Sequence, residues 1–294
     1  MILLNFVKLS LRSVNFRLRN VTSTTINDYD AAAATYDDYY SRYLGKAGST
    51  LTEKLPLKAG DTIIDLACGT GFFSHEIAAA VGEKGQVFAV DLSPKMLARN
   101  RENAAAKHLS NIEFIESDAL EWLKGQPSGA ADGIVCGWGV CYMNHTLLRN
   151  EIERVLRPGG FFGIIENRAC SLQAVSDLFR DALLEHPEAL AKNMSISLPP
   201  DEKYLVKTFS KGMLTRVDSW NGEIVVPCKT GEEVAEYMLR SGASAGFIDA
   251  LDQTHFETMW SEFVKKADQR IARRGEVPVK HEYCVLIGRK KTSS

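Results

Sequence analysis

Hydrophobic and polar positions follow two rhythms along this chain, and the switches between them mark out its elements. Short apolar runs occupy residues 62–66, 86–91, 112–116, 131–136 and 161–166, three of them finishing on an acid: Asp91, Glu116 and Glu166. Their length and β-branched content predict buried strands. Helical stripes lie between them. Phe73, Ile77, Ala80 and Val81 share one face of residues 72–81. A second helix opens at Ser93-Pro94, serine as N-cap and proline in the first position, and runs to about residue 108. Residues 119–124 make a short helical turn, and 147–156 a helix stopped by Arg157-Pro-Gly-Gly160. Strands alternating with helices predict an α/β fold, a mostly parallel sheet covered on both faces.

The flanks break this rhythm. Residues 26–55 read as helical and tyrosine-rich. Tyr29, Tyr36 and Tyr43 recur every two helical turns and so share a face. Two readings stand: an aromatic face packed on the core, or an N-terminal helical lid whose Tyr36 and Tyr40 touch a ligand. After Glu166, residues 173–185 place Val175, Leu178, Phe179 and Ala182 on one helical face, while 195–213 have no clear period. Residues 214–218 and 223–226 read as a hairpin around Asn221-Gly222. Residues 231–240 read as a helix, and 253–274 as another, striped by Phe256, Met259, Trp260, Phe263, Val264, Ala267 and Ile271; 282–288 is a last strand. The irregular stretch 167–230, an insertion after strand five, is the candidate substrate cap.

Composition changes this picture little. A net charge of −2 and 45% hydrophobic residues over 294 positions are ordinary for a globular protein, and they carry no electrostatic footprint for nucleic acid or an anionic membrane. Six cysteines without a Cys-x-x-Cys pair read as reduced thiols, not a zinc site, in an intracellular protein. No apolar run approaches the length that spans a bilayer. Residues 1–27 stand apart: Lys8, Arg12, Arg17 and Arg19 are spread among Leu, Phe and Val, with no acid before Asp28. That composition resembles an organelle transit peptide. It equally suits a disordered leader, a mis-assigned start or a short helix packed on the domain. The expected organisation is a leader over 1–27 and one domain over 28–294. The expected localisation is cytoplasmic, or organellar if the leader targets.

Candidate chemistry centres on Asp65-Leu-Ala-Cys-Gly-Thr-Gly-Phe-Phe-Ser74, a strand, a glycine turn and a helix N-terminus, which offers backbone N–H groups to an anion. Gly69-Thr-Gly71 alone suits many ligands, a dinucleotide included. The acids discriminate. Asp65 precedes the turn, Asp91 ends the second strand and Asp118 follows the third, so three carboxylates face one crevice. They sit badly with a pyrophosphate and well with a cationic nucleoside carrying an ammonium, a ribose diol and an adenine. That ligand is S-adenosylmethionine, its carboxylate on the turn N–H groups, its ammonium near Asp65, its ribose on Asp91 and its adenine amine on Asp118.

The segments Asp65-Leu-Ala-Cys-Gly-Thr-Gly71, Val87-Phe-Ala-Val-Asp-Leu-Ser-Pro-Lys-Met-Leu97, Glu116-Ser-Asp-Ala119 and Val155-Leu-Arg-Pro-Gly-Gly160 stand in the order and spacing of the class I S-adenosylmethionine-dependent methyltransferases. Over about residues 28–168 the chain resembles that family, and most of all its small-molecule and ubiquinone/menaquinone C-methyltransferase branch. Tyr36-Asp37 is similar to that branch's pattern. The resemblance implies a Rossmann-like, doubly wound, seven-stranded sheet with the last strand antiparallel. It also implies cofactor contacts at Gly69, Gly71, Asp91, Leu92, Met96, Asp118 and Ala119; Asp65, Ala67 and Cys136 complete the candidate cofactor set. Leu92 and Met96 read as core and adenine wall together.

The acceptor is expected over strand four, at Cys136-Gly-Trp-Gly-Val-Cys-Tyr142-Met-Asn-His145. There Gly137 and Gly139 leave room, and Trp138 and Tyr142 form an aromatic wall for a planar or apolar molecule. The run lacks the Asn-Pro-Pro-Tyr signature of nucleic-acid amino-methylating enzymes. His145 is the candidate base, with a capping or surface role as the other reading. Glu166 is a candidate for the pocket wall. The expected partner is a small-molecule acceptor, with no nucleic acid and no integral membrane contact. Alternatives are an O- or N-methyltransferase of another metabolite, a nicotinamide-dinucleotide oxidoreductase, or a non-catalytic cofactor-binding subunit.

Overall fold

A computed structural model describes residues 2–194 and 196–292. Helix α1 (Ile2–Leu18) is followed by α2 (Ile26–Ala32), a π-helical turn at Asp37–Ser41 and α3 (Arg42–Lys54). The alternating stretch comprises β1 (Thr62–Leu66), α4 (Phe72–Val81), β2 (Gln86–Asp91), α5 (Pro94–Ala106), β3 (Ile112–Glu116), α6 (Ala119–Lys124), β4 (Ala131–Gly137), α7 (His145–Val155) and β5 (Leu156–Asn167). Beyond it come α8 (Gln173–Glu185), α9 (Glu202–Phe209), β6 (Leu214–Val226), α10 (Gly231–Arg240), α11 (Phe256–Arg274) and β7 (Val279–Lys290).

The chain divides into two compact units. One holds Ser41–Cys170, Ile196–Glu223 and Glu282–Ser294; the other holds Met1–Tyr40, Ser171–Ser195 and Ile224–His281. The stretch 167–230, expected as one cap, is therefore shared between them.

The first unit carries the sheet, ordered β3-β2-β1-β4-β5-β7-β6. Strands β1 to β5 are parallel, and β7 pairs antiparallel to β5, with Glu166 opposite Cys284. The doubly wound fold and its antiparallel final strand are as expected. The order reverses between β1 and β4, where Leu66 lies beside Cys136, and such a switch point opens a crevice at the carboxyl ends of the strands. Beneath it Ile64, Leu66, Ile134, Cys136, Ile164 and Phe162 join Leu148, Ile152 and Phe209 in one buried cluster. Each fully buried side chain of this size contributes about 1.5–3 kcal/mol.

Two expectations fail here. Asn221-Gly222 makes no hairpin: β6 runs straight through it as one strand beside β7. A Cβ at Gly222 would strike the Tyr283 ring, so the glycine serves a close strand-to-ring approach instead of a turn. The helix expected over 26–55 is also interrupted by the π-helical turn, and Tyr29, Tyr36 and Tyr43 do not lie on one continuous α-helix.

In the second unit α1 lies against α8 and the turn at Pro187–Ala189. Arg12 donates to the carbonyls of Leu190 (2.9 Å) and Glu188 (3.1 Å), and Ser13 to Asn193 (3.1 Å). The buried Asp28 carboxylate accepts from the N–H groups of Gly246 (2.8 Å) and Asp249 (3.2 Å), tying α2 to the loop after α10. His281, fully buried and pushed by that burial to a pKa of about 3, lies 2.7 Å from the Tyr237 hydroxyl.

Candidate active site

The glycine turn is built by backbone geometry that few residues accept. Ala67 (φ 53°), Gly69 (φ 52°) and Gly71 (φ 95°) all take left-handed conformations between β1 and α4. Gly71 caps α4, and a Cβ there would collide with Asn100 and His75. Those two residues belong to a buried relay that holds the turn from outside. Lys107 donates to His75 Nδ1 (3.2 Å), which leaves Nε2–H to donate to Asn100 Oδ1 (2.9 Å). Asn100 Nδ2 then donates to the Gly69 carbonyl (3.3 Å), and Asn103 to that of Thr70 (3.3 Å). Sequence reasoning missed this relay. Its trace was there: Asn100 and Asn103 on α5 and Lys107 at its C-cap recur at helical spacing, a polar stripe on a helix that covers a sheet.

Asp65 is wholly buried. Its Oδ2 accepts from the Ser74 hydroxyl (2.6 Å), whereas Oδ1 has no hydrogen-bond partner. Burial first, then the nearby Asp91 charge, raises its pKa to about 7, against the pull of the Ser74 hydrogen bonds. Leaving a buried carboxylate oxygen unpaired is costly, and a cationic donor relieves both the vacancy and the crowding of charge.

Asp91 locks the turn to β2. Its Oδ2 accepts from Gly69 N–H and its Oδ1 from Ser93 N–H, both at 2.8 Å. The Gly71 N–H is likewise taken, by the Cys68 carbonyl (3.0 Å). The expectation that these turn N–H groups await an anion is therefore corrected: at Gly69 and Gly71 they are spent on holding the turn's shape. Asp118 also has a structural task. It is exposed, and its Oδ1 caps α6 through the Glu121 N–H (3.0 Å). An N-cap gives this acid a structural role whether or not a ligand is bound.

The other cofactor candidates separate by burial. Met96 and Cys136 are core, and Ala119 is nearly so. Leu92 is 52% exposed, so its reading as core is corrected; it presents an apolar side chain at the strand end beside Asp91. A shape argument links the turn to β4. A Cβ on Gly139 would meet the Cβ of Ala67, and one on Gly137 the Phe73 ring. Both glycines thus serve close packing. Trp138, at φ 53°, lies with its ring 5.9 Å from that of Phe73, and Tyr142 is 40% exposed on the following turn.

Glu166 and His145 are not placed as expected. Glu166 is 1% exposed, and its two oxygens accept the N–H groups of Cys141 (3.0 Å) and Asn167 (2.8 Å); burial raises its pKa to about 7. It supports the turn after β4 instead of lining a pocket. His145 is the first residue of α7, capped by Asn144, and its buried ring sits 6.1 Å from Phe209. Its Nδ1 lies 3.0 Å from the Tyr204 hydroxyl, and burial lowers its pKa. Tyr36 and Tyr40 belong to the other unit. There their rings stack at 5.0 Å, and Tyr40 meets His281 edge-on at 5.8 Å.

No cluster of His, Cys, Asp and Glu able to hold a metal occurs among the described residues, and none of their helices is long and apolar enough to cross a membrane. Residues 57–221 match a family model described as a methyltransferase domain. The ubiquinone/menaquinone biosynthesis C-methyltransferase UbiE of Coxiella burnetii (strain CbuK_Q154) is 31% identical over 179 residues, 56% of this chain and 71% of that protein. The demethylmenaquinone methyltransferase of Shouchella clausii is 28% identical over 128 residues, 43% of this chain and 54% of that one. The match thus spans between about half and 71% of these relatives' own length. Among solved structures, a putative methyltransferase from Bacillus halodurans superposes with a TM-score of 0.57 at 17% identity, over 83% of this chain and 98% of the other. That likeness is one of fold.

Proposed function

This chain belongs to the class I S-adenosylmethionine-dependent methyltransferases, and from that premise we propose that it methylates a small, planar organic acceptor of quinone-like or phenolic character. The observation that carries the cofactor half is the unpaired, buried Asp65 Oδ1 at the switch point of the sheet. The residues present fit S-adenosylmethionine. Asp65 would take its ammonium, Asp91 the ribose hydroxyls, and Leu92 the adenine face. When bound, the cofactor supplies a methyl group activated on a sulfonium, which passes to a nucleophile by in-line displacement. The protein's own work is positioning and the exclusion of water; effective molarity is worth up to roughly 7–11 kcal/mol in favourable cases.

The acceptor reading rests on Trp138 and Tyr142, which follow β4 beside the close-packed Gly139, and on the quinone-related names of the curated relatives. An aromatic wall favours a flat apolar molecule. His145 is buried with its Nδ1 on the Tyr204 hydroxyl, and burial lowers its basicity, so in this reading the acceptor brings its own negative charge as a phenolate or its ring-carbon equivalent. The test is incubation with methyl-labelled S-adenosylmethionine and a panel of demethylated quinols and simple phenols, with the products resolved by mass spectrometry. Label on a ring carbon supports the reading. Label on oxygen or nitrogen moves the chain to the O- or N-methyltransferase alternative, and no transfer to any aromatic overturns the acceptor class.

A further inference from the structure

Helix α1 is folded inside out. Its inner face is made of Asn5, Leu9, Arg12, Ser13 and Phe16, all part-buried, and it is fastened by the Arg12 and Ser13 hydrogen bonds. Its outer face carries Leu3, Leu4, Val7, Leu11, Val14 and Leu18, each between 45% and 80% exposed. At 100° per residue these six fall within an arc of about 100°, a continuous apolar stripe along a helix about 25 Å long. Lys8 and Arg19 border the stripe on one side and Arg17 on the other, and the helix contains no acid. A contiguous exposed stripe of this kind marks an interaction surface.

We propose that this face docks in the plane of an anionic lipid bilayer, the apolar stripe in the acyl boundary and Lys8, Arg17 and Arg19 at the headgroups. Charge selects this occupant. An apolar stripe bordered by cations on both sides is the pattern of an interfacial helix, whose long basic side chains reach up to the phosphates. A second copy of the chain would bring identical cations to each border with no acid to answer them, and two and a half heptads are short for a coiled coil. A helix of 17 residues with this charge does not span a bilayer. The chain-wide charge of −2 conceals the site, because it averages a wholly cationic segment with acids elsewhere.

The experiment is sedimentation of the full chain with vesicles of phosphatidylcholine alone and of phosphatidylcholine with one quarter phosphatidylglycerol. We expect partitioning into the anionic vesicles that weakens as salt rises. Leu11→Asp should reduce it at least tenfold, and Arg17→Gln or Arg19→Gln about fivefold each. Far-UV circular dichroism and S-adenosylmethionine calorimetry confirm that each variant is folded, and that readout separates a failed surface from a failed fold. Three results would overturn the proposal: no partitioning into either vesicle, partitioning unchanged in Leu11→Asp, or a self-associated species in analytical ultracentrifugation that Leu11→Asp dissolves while vesicles bind nothing. A mature chain from its own cells that begins beyond Leu18 would also overturn it, since the helix would then serve delivery and be lost.

Discussion

The ends of β1 and β5 carry two buried carboxylates with displaced pKa values and different hydrogen-bond partners. Asp65 and Glu166 are both buried in strands of the sheet, and burial is the main cause that raises both to a pKa of about 7. Glu166 spends both oxygens on backbone N–H groups of its own surroundings. Asp65 spends one on Ser74 and keeps the other unpaired. A displaced pKa therefore does not distinguish a ligand site from a strut; in the function proposed above, the distinction rests on the unfilled oxygen of Asp65.

That contrast predicts opposite outcomes for two isosteric changes. Asp65→Asn should weaken S-adenosylmethionine binding by about 10–100-fold, the scale of a charge-assisted hydrogen bond, while Glu166→Gln should leave it within about twofold by calorimetry. Equal losses in both variants would erase the distinction. Stability should run the other way. Glu166→Gln turns one acceptor into a donor facing a backbone N–H, and chemical denaturation should show a loss of about 1–3 kcal/mol. Asp65→Asn, which removes a buried charge near Asp91, should stabilise the ligand-free protein at pH 8.

The pH dependence follows from the same groups. Both carboxyls hold their protons to higher pH when folded than the ordinary 3.8 and 4.5 of Asp and Glu. Between roughly pH 4 and 7 the native state therefore binds more protons than the unfolded one, and their contribution to stability falls as pH rises, levelling off above about 7. Cofactor affinity should have the opposite slope, because the proposed ammonium contact requires the ionised Asp65. Affinity should climb toward pH 7 and flatten beyond it, and Asp65→Asn should abolish the climb where Glu166→Gln retains it. Titration calorimetry from pH 5.5 to 8 resolves the two.

Smaller effects sharpen the picture. Asn100→Ala cuts the relay beneath the glycine turn and should cost about 1–2 kcal/mol of stability, with a several-fold loss of cofactor affinity as the turn loosens. The smallest catalytic change is expected from His145→Phe. Transfer should stay within about threefold while stability shifts, and a loss of turnover with an altered pH profile would restore the histidine as a base.

Much of the sheet unit was legible in the chain because its signals are local. Periods of two and 3.6 residues, Ser93-Pro94 at a helix start and Gly69-Thr-Gly71 at a turn act within a few residues of one another, and β1 to β5 with their helices emerged in the expected order. The acids at 65, 91 and 118 pointed to a cationic nucleoside because each stands at or near a strand end, and those ends are set by local signals. Their individual tasks did not emerge, because each depends on a partner from another element: Ser74 for Asp65, Gly69 for Asp91, the first turn of α6 for Asp118. The relay from Lys107 through His75 and Asn100 is legible only once α4 and α5 pack together. Asn221-Gly222 shows local preference losing outright, since β6 continues through it beside β7.

Helix α1 marks the same boundary at the other end of the chain. Amphipathy and charge belong to the sequence by itself, because they are a matter of spacing at 100° per residue. Which face turns inward belongs to the tertiary structure. Arg12 and Ser13 find carbonyl and amide partners near α8, and those contacts leave the leucine face outside. Spacing orders side chains around an axis. Only the partners that close on that axis decide which of them meet protein and which meet the surroundings.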